Sequence, residues 1–428
     1  PGVRVSTGSG RPGAMPSIIL RGGTHFDGSG SPLIIVDGQI RGSLSDISPD
    51  EIERMDIQKD AAATAIYGAR ASNGVVIITT KSGKAGRSSL DLKVNRGISY
   101  LNLPYNYLSA EDYVKWTRLG VVEAIKNGTL ANTTLSAPGP RGTGNRYFAN
   151  DGVTPLDGNY VNEGRWSLMR LTDQNRFLLD QGWKTMKDAV PTNAAGNYDA
   201  NGQYYDLIFE DFNYGNLAFK SPSPTQDYNV SFSGGNDKAK YFSNVGIYDE
   251  DGLSLNTFYR RYNFAVNGEY KIKDWLTTES RVNWTRANWR SESLLNGEAN
   301  FWGRMLSAPP TLRSRSPITG DWILGRDASD GNPLVNADKY LRRSQNDKFT
   351  LNQGLVGNLL PELTLRMKGI LYYEEEYHES FNRDYRTGFL STTNPDAGWN
   401  RQRSSSANFW RNIRQTYNAV LNYDKSFD

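Results

Sequence analysis

From Ser89 onward, apolar and polar residues alternate with a period of two. Leu90, Leu92 and Val94 alternate with Asp91, Lys93 and Asn95. Tyr228, Val230 and Phe232 alternate with Asn229, Ser231 and Ser233. The same pattern recurs in Tyr262, Phe264, Val266 and Tyr270, and in Leu276, Val282 and Trp284. It returns in Leu363, Leu365, Met367 and Leu371, and in Ile413, Tyr417, Ala419, Leu421 and Tyr423. Such alternation predicts strands with one apolar and one polar face. Weaker strands are expected near Lys240–Tyr248 and Lys348–Leu359, giving about eight long strands. Tight turns are predicted at Gly235–Lys238, Lys273-Asp274 and Leu360–Glu362. Long connections are expected at Tyr100–Thr225, Asp249–Thr257, Ala287–Asn346 and Glu379–Ser405. Short and long connections alternate, the asymmetry of a transmembrane barrel with short turns at one end and long loops at the other.

The stretch Pro32–Lys84 is patterned differently. Leu33–Val36 is an apolar run entering a turn at Asp37-Gly38. Ser48-Pro49-Asp50-Glu51 has the residues of a helix start, with Ser48 as cap, Pro49 at the first position and Glu51 closing a capping box. Met55–Gln58 fits a short strand. Asp60 is expected to cap an alanine-rich helix ending at Gly68. Val75–Thr80 is β-branched at every position, as in a strand buried on both faces. An αβ unit therefore precedes a β series, joined by the polar linker Lys81–Ser88. Upstream, Ile18-Ile19-Leu20 reads as a strand entering a turn.

Composition refines this picture. The chain has 428 residues, a net charge of +3 and no cysteine. Disulfides and cysteine-based metal or nucleophile sites are excluded, and the charge gives no electrostatic case for nucleic acid. Mean hydropathy is −0.61 and no apolar run approaches a membrane helix, yet barrel strands keep average hydropathy low. The 24 Tyr, 10 Trp and 42 Gly suit a membrane barrel or a secreted β-protein. Eight strands would close on their own side chains and could not hold the αβ unit. If that unit lies in a lumen, the barrel is larger and the chain is a section of it. Pro1-Gly2-Val3 is not a natural start and Tyr423-Asp424-Lys425 reads as a turn before another strand, so the sequence reads as truncated at both ends.

Leu33–Gly38, Asp50–Ile52, Lys59-Asp60-Ala61, Ala65–Gly68 and Asn73–Lys81, with Leu20-Arg21-Gly22 upstream, resemble in their order the plug domain of TonB-dependent outer-membrane transporters. The resemblance is to the SusC/RagA-type importers of the Bacteroidota. Gln226–Gly235, Tyr241–Tyr248, Gly252 and Arg260–Asn263 resemble that family's first barrel strands. The resemblance implies a large antiparallel membrane β-barrel, about 22 strands when complete, with an N-terminal αβ plug in its lumen. The plug is expected at 1–86 and the barrel section at 87–428, with a long extracellular loop at about 100–225. Plug positions matching the family are Arg21, Asp37, Gly38, Asp50, Lys59, Asp60, Tyr67, Gly68, Asn73, Gly74 and Lys81. The implied function is import of an oligosaccharide or oligopeptide in the outer membrane of a Gram-negative bacterium, without catalysis and without a cofactor. Implied partners are a SusD/RagB-like surface lipoprotein, the TonB-ExbB-ExbD energy-coupling complex and outer-membrane lipid, with room for a dimer of transporter–lipoprotein pairs. No TonB box is seen. A siderophore or cobalamin receptor, or a secreted glycan-binding or adhesin protein, are the alternative readings.

Local chemistry is sparse. His378 beside Glu374-Glu375-Glu376 and Glu379 is a metal candidate, against a solvated acidic strand end. Asn197, Asp199, Asn201 and Gly202 imitate half a calcium loop, but Ile208 stands where the bidentate Glu belongs. Arg21, Arg41, Arg54 and Arg70 are expected to meet carboxylates of the barrel wall, the alternative being an anionic substrate. Trp166, Phe301, Trp302, Trp322 and Trp399 lie in predicted extracellular loops, where they could stack on substrate or pack within the loops. Trp275, Trp284 and Tyr423 fit an interfacial girdle. Leu108–Ala124 has apolar positions at helical spacing behind Ser109, predicting a helix in the first long loop, placed to narrow the entrance or meet the lipoprotein.

Overall fold

A computed structural model describes residues 3–425 except 8, 15, 21–29, 45–46, 60–64, 103–105, 147–165, 214, 217–218, 292–307, 314, 316–339, 383–384, 387–398 and 401–402. At the N-terminal end β1 (Val3–Ser6) pairs with β2 (Ser17–Leu20) as an antiparallel ribbon. β3 (Leu33–Val36) turns at Asp37-Gly38 into β4 (Gln39–Arg41). Asp37 has φ 49° and Gly38 φ 88°, the two left-handed residues that a two-residue hairpin of type I′ requires. β5 (Ile52–Gln58) and β6 (Val75–Thr80) complete a four-stranded sheet in the order β4-β3-β6-β5, with β3 and β6 parallel. β6 is internal and packs on both faces. One cluster joins Leu33, Ile35, Ala71 and Val75, the other Val36, Ile47, Val76 and Ile78.

The first predicted helix of this unit does not form as expected. Ser48 does cap, accepting from Asp50 N at 3.4 Å, but Pro49–Glu51 is a single 3₁₀ turn that passes directly into β5. β5 begins at Ile52 instead of Met55. Glu51 closes no capping box, because its carboxylate accepts from Asn244 and Asn263. Of the alanine-rich segment, residues 60–64 lie outside the described residues. Ala65–Ala71 is two 3₁₀ turns separated at Gly68, so the path entering from Ala65 stops at Gly68 with positive φ (φ 64°, ψ −158°). Pro49–Glu51 is too short to offset helix nucleation, and Tyr67 and Ala71 pack on the sheet.

β7 (Gly86–Ser99) leaves the unit, and the connection after it is a folded lobe. Its helix α1 (Ala110–Lys126) is capped by Ser109, which accepts from Asp112 N at 3.1 Å. The helix starts two residues later than predicted, leaving Leu108 exposed. Ala110, Val114, Arg118, Val121 and Val122 form its buried stripe, the i, i+4, i+8 spacing of one helical face. β8 (Met169–Arg170), β9 (Lys184–Lys187) and β10 (Asp206–Phe209) form a small sheet with β10 central. Arg118 is fully buried and grips the Asp188 carboxylate with two bonds of 2.9 and 2.6 Å, donating also to Arg141 O at 2.7 Å. Residues of the β14–β15 connection join this lobe: Ser167 N donates to Thr311 O at 2.8 Å, and buried Arg313 donates to Arg146 O at 3.1 Å.

The remaining strands make one antiparallel wall. β11 (Ser223–Gly235), β12 (Ala239–Asp251), β13 (Phe258–Lys273), β14 (Leu276–Arg290), β15 (Tyr340–Leu360) and β16 (Leu363–Asn382) follow in chain order. A two-residue ladder, β17 (Tyr385–Arg386) with β18 (Trp399–Asn400), precedes β19 (Ser404–Tyr423). The eight-stranded order is β7-β11-β12-β13-β14-β15-β16-β19. Turns at 236–238, 274–275 and 361–362 fall where the pattern put them. The two weaker strands are as continuous as the rest, and the predicted long connection Asp249–Thr257 shrinks to the six residues 252–257. Cross-strand pairing carries the strands past the end of their alternation, into stretches such as Ser404–Ser406 that have no apolar face of their own.

The polarity of this wall is inverted relative to a soluble sheet. Leu90, Leu92, Val245, Phe264, Ile413, Tyr417 and Leu421 are exposed, while Asn244, Asn263, Asn267, Thr350 and Asn352 are buried beneath the αβ unit. On β16 the outward apolar run Leu363–Tyr373 spans about ten residues, which at 3.4 Å per residue and a 35–45° tilt is roughly 25 Å, the height of a lipid-facing band. Trp275 and Tyr423 are exposed at the short-turn end, and Trp284 lies mid-wall with Arg286 over its ring.

Two outcomes are expected. Asp188→Ala leaves Arg118 buried without its carboxylate and costs the lobe about 3–5 kcal/mol; limited proteolysis of the embedded protein then cuts within 100–222 while the wall remains folded. Val266→Arg, on the outward face, lowers the folding free energy in a bilayer by about 2–4 kcal/mol, read from urea-dependent refolding into vesicles.

Candidate functional site: the interface between plug and wall

The αβ unit meets the wall through charged and amide groups. Asp37, at the tip of the β3–β4 hairpin, is the hub. Its Oδ1 accepts from Thr80 N at 3.1 Å and from Arg281 of β14, and its Oδ2 from Thr80 Oγ1 at 2.7 Å. Its main-chain carbonyl accepts from Lys368 Nζ of β16 at 2.6 Å and from Asn352 Nδ2 of β15 at 3.2 Å. One residue thus draws three adjacent strands onto one turn. The Asp37 side chain is 6% exposed, so both ends of the Arg281 pair are sheltered and the pair is stronger than a surface one.

Around the hub the contacts are also polar. Glu51, 3% exposed, accepts from Asn244 of β12 and Asn263 of β13. Asn267 donates to Thr80 Oγ1 at 3.2 Å and to Lys81 O at 2.6 Å. Arg41 donates to Thr350 Oγ1 at 2.7 Å and lies over the Tyr372 ring at 4.6 Å. Arg414 of β19 donates to Ile40 O at 3.0 Å, and Lys93 of β7 pairs with Asp50 at 2.9 Å. A carboxylate or carbonyl on the αβ unit facing a cation or amide on the wall is the prevailing arrangement.

Above this interface lies a cavity of about 540 Å³ between the Ser9–Ala14 segment and the wall. Arg11 and Ser43 line one side, and Tyr259, Trp289, Glu374 and Glu376 the other.

Of the predicted plug positions, Asp37, Gly38, Asp50 and Lys81 belong to this interface. Gly38 approaches the Lys368 side chain so closely that a Cβ there would lie 3.2 Å from Nζ. Tyr67 packs on the Leu33 cluster, and Gly68 sits in the 3₁₀ segment. Gly74 (φ 91°) turns into β6 beneath Leu20, its carbonyl accepting from Leu33 N at 3.0 Å. Asn73 borders Gly30, and Lys59 follows β5. Arg21 and Asp60 lie outside the described residues. The expected arginine-to-wall-carboxylate scheme is corrected in direction. Arg54 pairs with Asp56 on its own exposed strand, Arg70 is exposed, and the major acids, Asp37 and Glu51, come from the unit itself. Arg281, Asn244, Asn263, Asn267, Asn352, Lys368 and Arg414 were not singled out by sequence. Their signal was available, since each is the polar member of an alternating strand and is Asn, Arg or Lys at mid-strand.

The other candidates are not brought together. Trp166 is half-buried in the lobe and bridges to Leu312, Trp399 begins β18, and Phe301, Trp302 and Trp322 lie outside the described residues. Asn197 accepts from Ser136 Oγ at 2.6 Å, while Asn201 N donates to Asp199 Oδ1 at 3.0 Å, which makes this stretch a local turn. Glu374 faces Lys348 at 3.4 Å, Glu375 pairs with Arg411, and His378 contacts Glu376 at 2.9 Å and Ser344 at 2.8 Å. Strand alternation sends Glu374 and Glu375 to opposite faces, so the acidic run is divided between lumen and exterior.

Residues 1–75 match the family model described as the TonB-dependent receptor plug domain. TonB-dependent receptor P39 of Formosa agariphila is 25% identical over 427 residues, covering 100% of this chain and 33% of that protein. TonB-dependent receptor SusC of Bacteroides thetaiotaomicron is 42% identical over 123 residues, covering 26% of this chain and 12% of that protein. The chain therefore spans a third or less of the length of these relatives. A structure of the RagAB peptide importer in the open-open state superimposes with a TM-score of 0.68 at 22% identity, over 100% of this chain and 42% of that one. Plug, wall and relatives agree in supporting a SusC/RagA-type TonB-dependent receptor.

Proposed function

We propose that the chain is the plug and the adjoining wall of an active importer in the outer membrane of a Gram-negative bacterium. It takes up an oligosaccharide or oligopeptide with a SusD/RagB-like lipoprotein as external lid. Energy reaches the plug from the inner membrane through TonB-ExbB-ExbD. No covalent step is involved; the work is displacement of the plug. SusC among the relatives and RagAB among the similar folds support a lipoprotein partner, and the RagAB peptide importer supports the peptide class of cargo.

One observation carries this reading: the plug is held to the wall by hydrogen bonds and ion pairs instead of an apolar core. An apolar interface exposed by pulling would face a large hydration penalty per unit area. A polar interface exchanges its bonds for bonds to water, so each contributes only about 0.5–1.5 kcal/mol net, or about 1.5–3 where charge is involved. Such an interface stays closed through the number of its contacts and opens when they are broken in sequence.

Energised uptake is tested in whole cells supplied with labelled oligosaccharides and oligopeptides. An uncoupler should abolish accumulation while leaving surface binding intact, and uptake unaffected by the uncoupler would contradict the proposal. Purification in detergent should bring down a lipoprotein with the transporter. Asp37→Asn should lower the force at which the plug unravels under an N-terminal pull, because the Arg281 pair loses its charge; force spectroscopy on the membrane-embedded protein reads this. An unchanged force would remove Asp37 from the holding contacts.

A further inference from the structure

The six-residue connection 252–257 between β12 and β13 touches the lobe on one side and the plug on the other. On the lobe side, Phe219 bridges to Ser254, and Lys220 N donates to Leu253 O at 2.7 Å. Lys220 Nζ pairs with the Asp251 carboxylate, and buried Ser223 donates to Asp251 O at 2.7 Å and Gly252 O at 3.1 Å. On the plug side, Gly13 N donates to Glu250 Oε2 at 3.0 Å. Gly13 has φ 70° and lies against the Tyr259 ring, where a Cβ would come within 2.1 Å of a ring carbon. Gly252 abuts Pro12, its Cβ position 2.7 Å from Pro12 Cγ.

The connection is braced internally. Gly252 N donates to Thr257 O at 2.9 Å, and Thr257 Oγ1 to Ser254 O at 2.7 Å. Tyr248 donates to the Glu250 carboxylate at 3.1 Å and stands edge-on to Tyr259, with ring centroids 6.1 Å apart. Residues 250–252 thus meet the plug and the lobe through adjacent positions of one stiff strand end. A displacement on one side cannot be absorbed within the hairpin and is passed to the other.

We propose that this hairpin is a two-sided clamp that couples the seating of the lobe to the hold on the plug segment Ser9–Ala14. When the lobe is drawn away from Asp251–Ser254, Glu250 and Tyr259 shift and Gly13 is released. The plug edge beside the large cavity then loosens before any pull is applied. Coupling of this kind is reciprocal, so expelling Gly13 also loosens the lobe. The clamp rests on the reading of the plug as a displaceable element, but its test involves no transport.

The chain has no cysteine, so single spin labels can be placed in the complete protein in lipid nanodiscs. Gly10→Cys reports on the plug segment, where a Cβ meets nothing within 4 Å, and Glu111→Cys reports on the exposed side of α1. Lys220→Ala and Phe219→Ala are expected to raise the mobile fraction at both labels, at Gly10→Cys by about fivefold, the lower end of typical coupling. Gly13→Ala should do the same from the inside. A mobilised Glu111→Cys label with an unchanged Gly10→Cys label overturns the clamp. So does immobility of both, since the outer contacts would then not hold the lobe. If the clamp behaves as expected but uncoupler-sensitive uptake is absent, the import reading fails while the coupling stands.

Discussion

Everything in this chain is arranged around a polar contact that is buried without being apolar. The Asp37 turn takes an arginine, a lysine and an amide from three neighbouring strands, and the sheet beneath it is built to place that turn. The hairpin needs left-handed backbone at both central positions, which Asp-Gly supplies. β6 must be fully covered so that Thr80, its last residue, can hold the Asp37 carboxylate from behind. The apolar clusters of the plug are small and lie on its own sheet. They keep the plug folded, while the polar shell keeps it in place. These are separate tasks done by separate kinds of force.

The wall obeys the same division. Its exterior is apolar because lipid is the solvent there, and its interior is amide-rich because the neighbouring surface is another polar protein face. Asn is well suited to such an interior. It donates and accepts without carrying charge, so it can be desolvated against Glu51, Thr80 or Lys81 at lower cost than an ion.

This explains which parts were legible in the sequence. Alternation and turns were readable because lipid and lumen impose them residue by residue. Leu363–Leu371 and the turn at Leu360–Glu362 need no knowledge of distant contacts. Glu51 was misread because its local surroundings fit a capping box, whereas its partners lie some two hundred residues away. The direction of the plug–wall pairs was hidden because arginines announce themselves in a sequence, whereas Asp37 looks like any turn residue. The aromatic loop residues stayed unresolved as a site, since nothing in their spacing specifies which of them share a surface.

Lys368, Asn352, Asn267 and Arg414 all hold the plug by main-chain carbonyls: those of Asp37, Lys81 and Ile40. A carbonyl is present whatever side chain the residue carries. The wall therefore reads the path of the plug backbone as well as the letters written on it. Where the wall takes only a carbonyl, as at Ile40 and Lys81, the contact itself places no demand on the side chain. What is held is a shape, together with the particular side chains of Asp37, Asp50, Glu51 and Thr80.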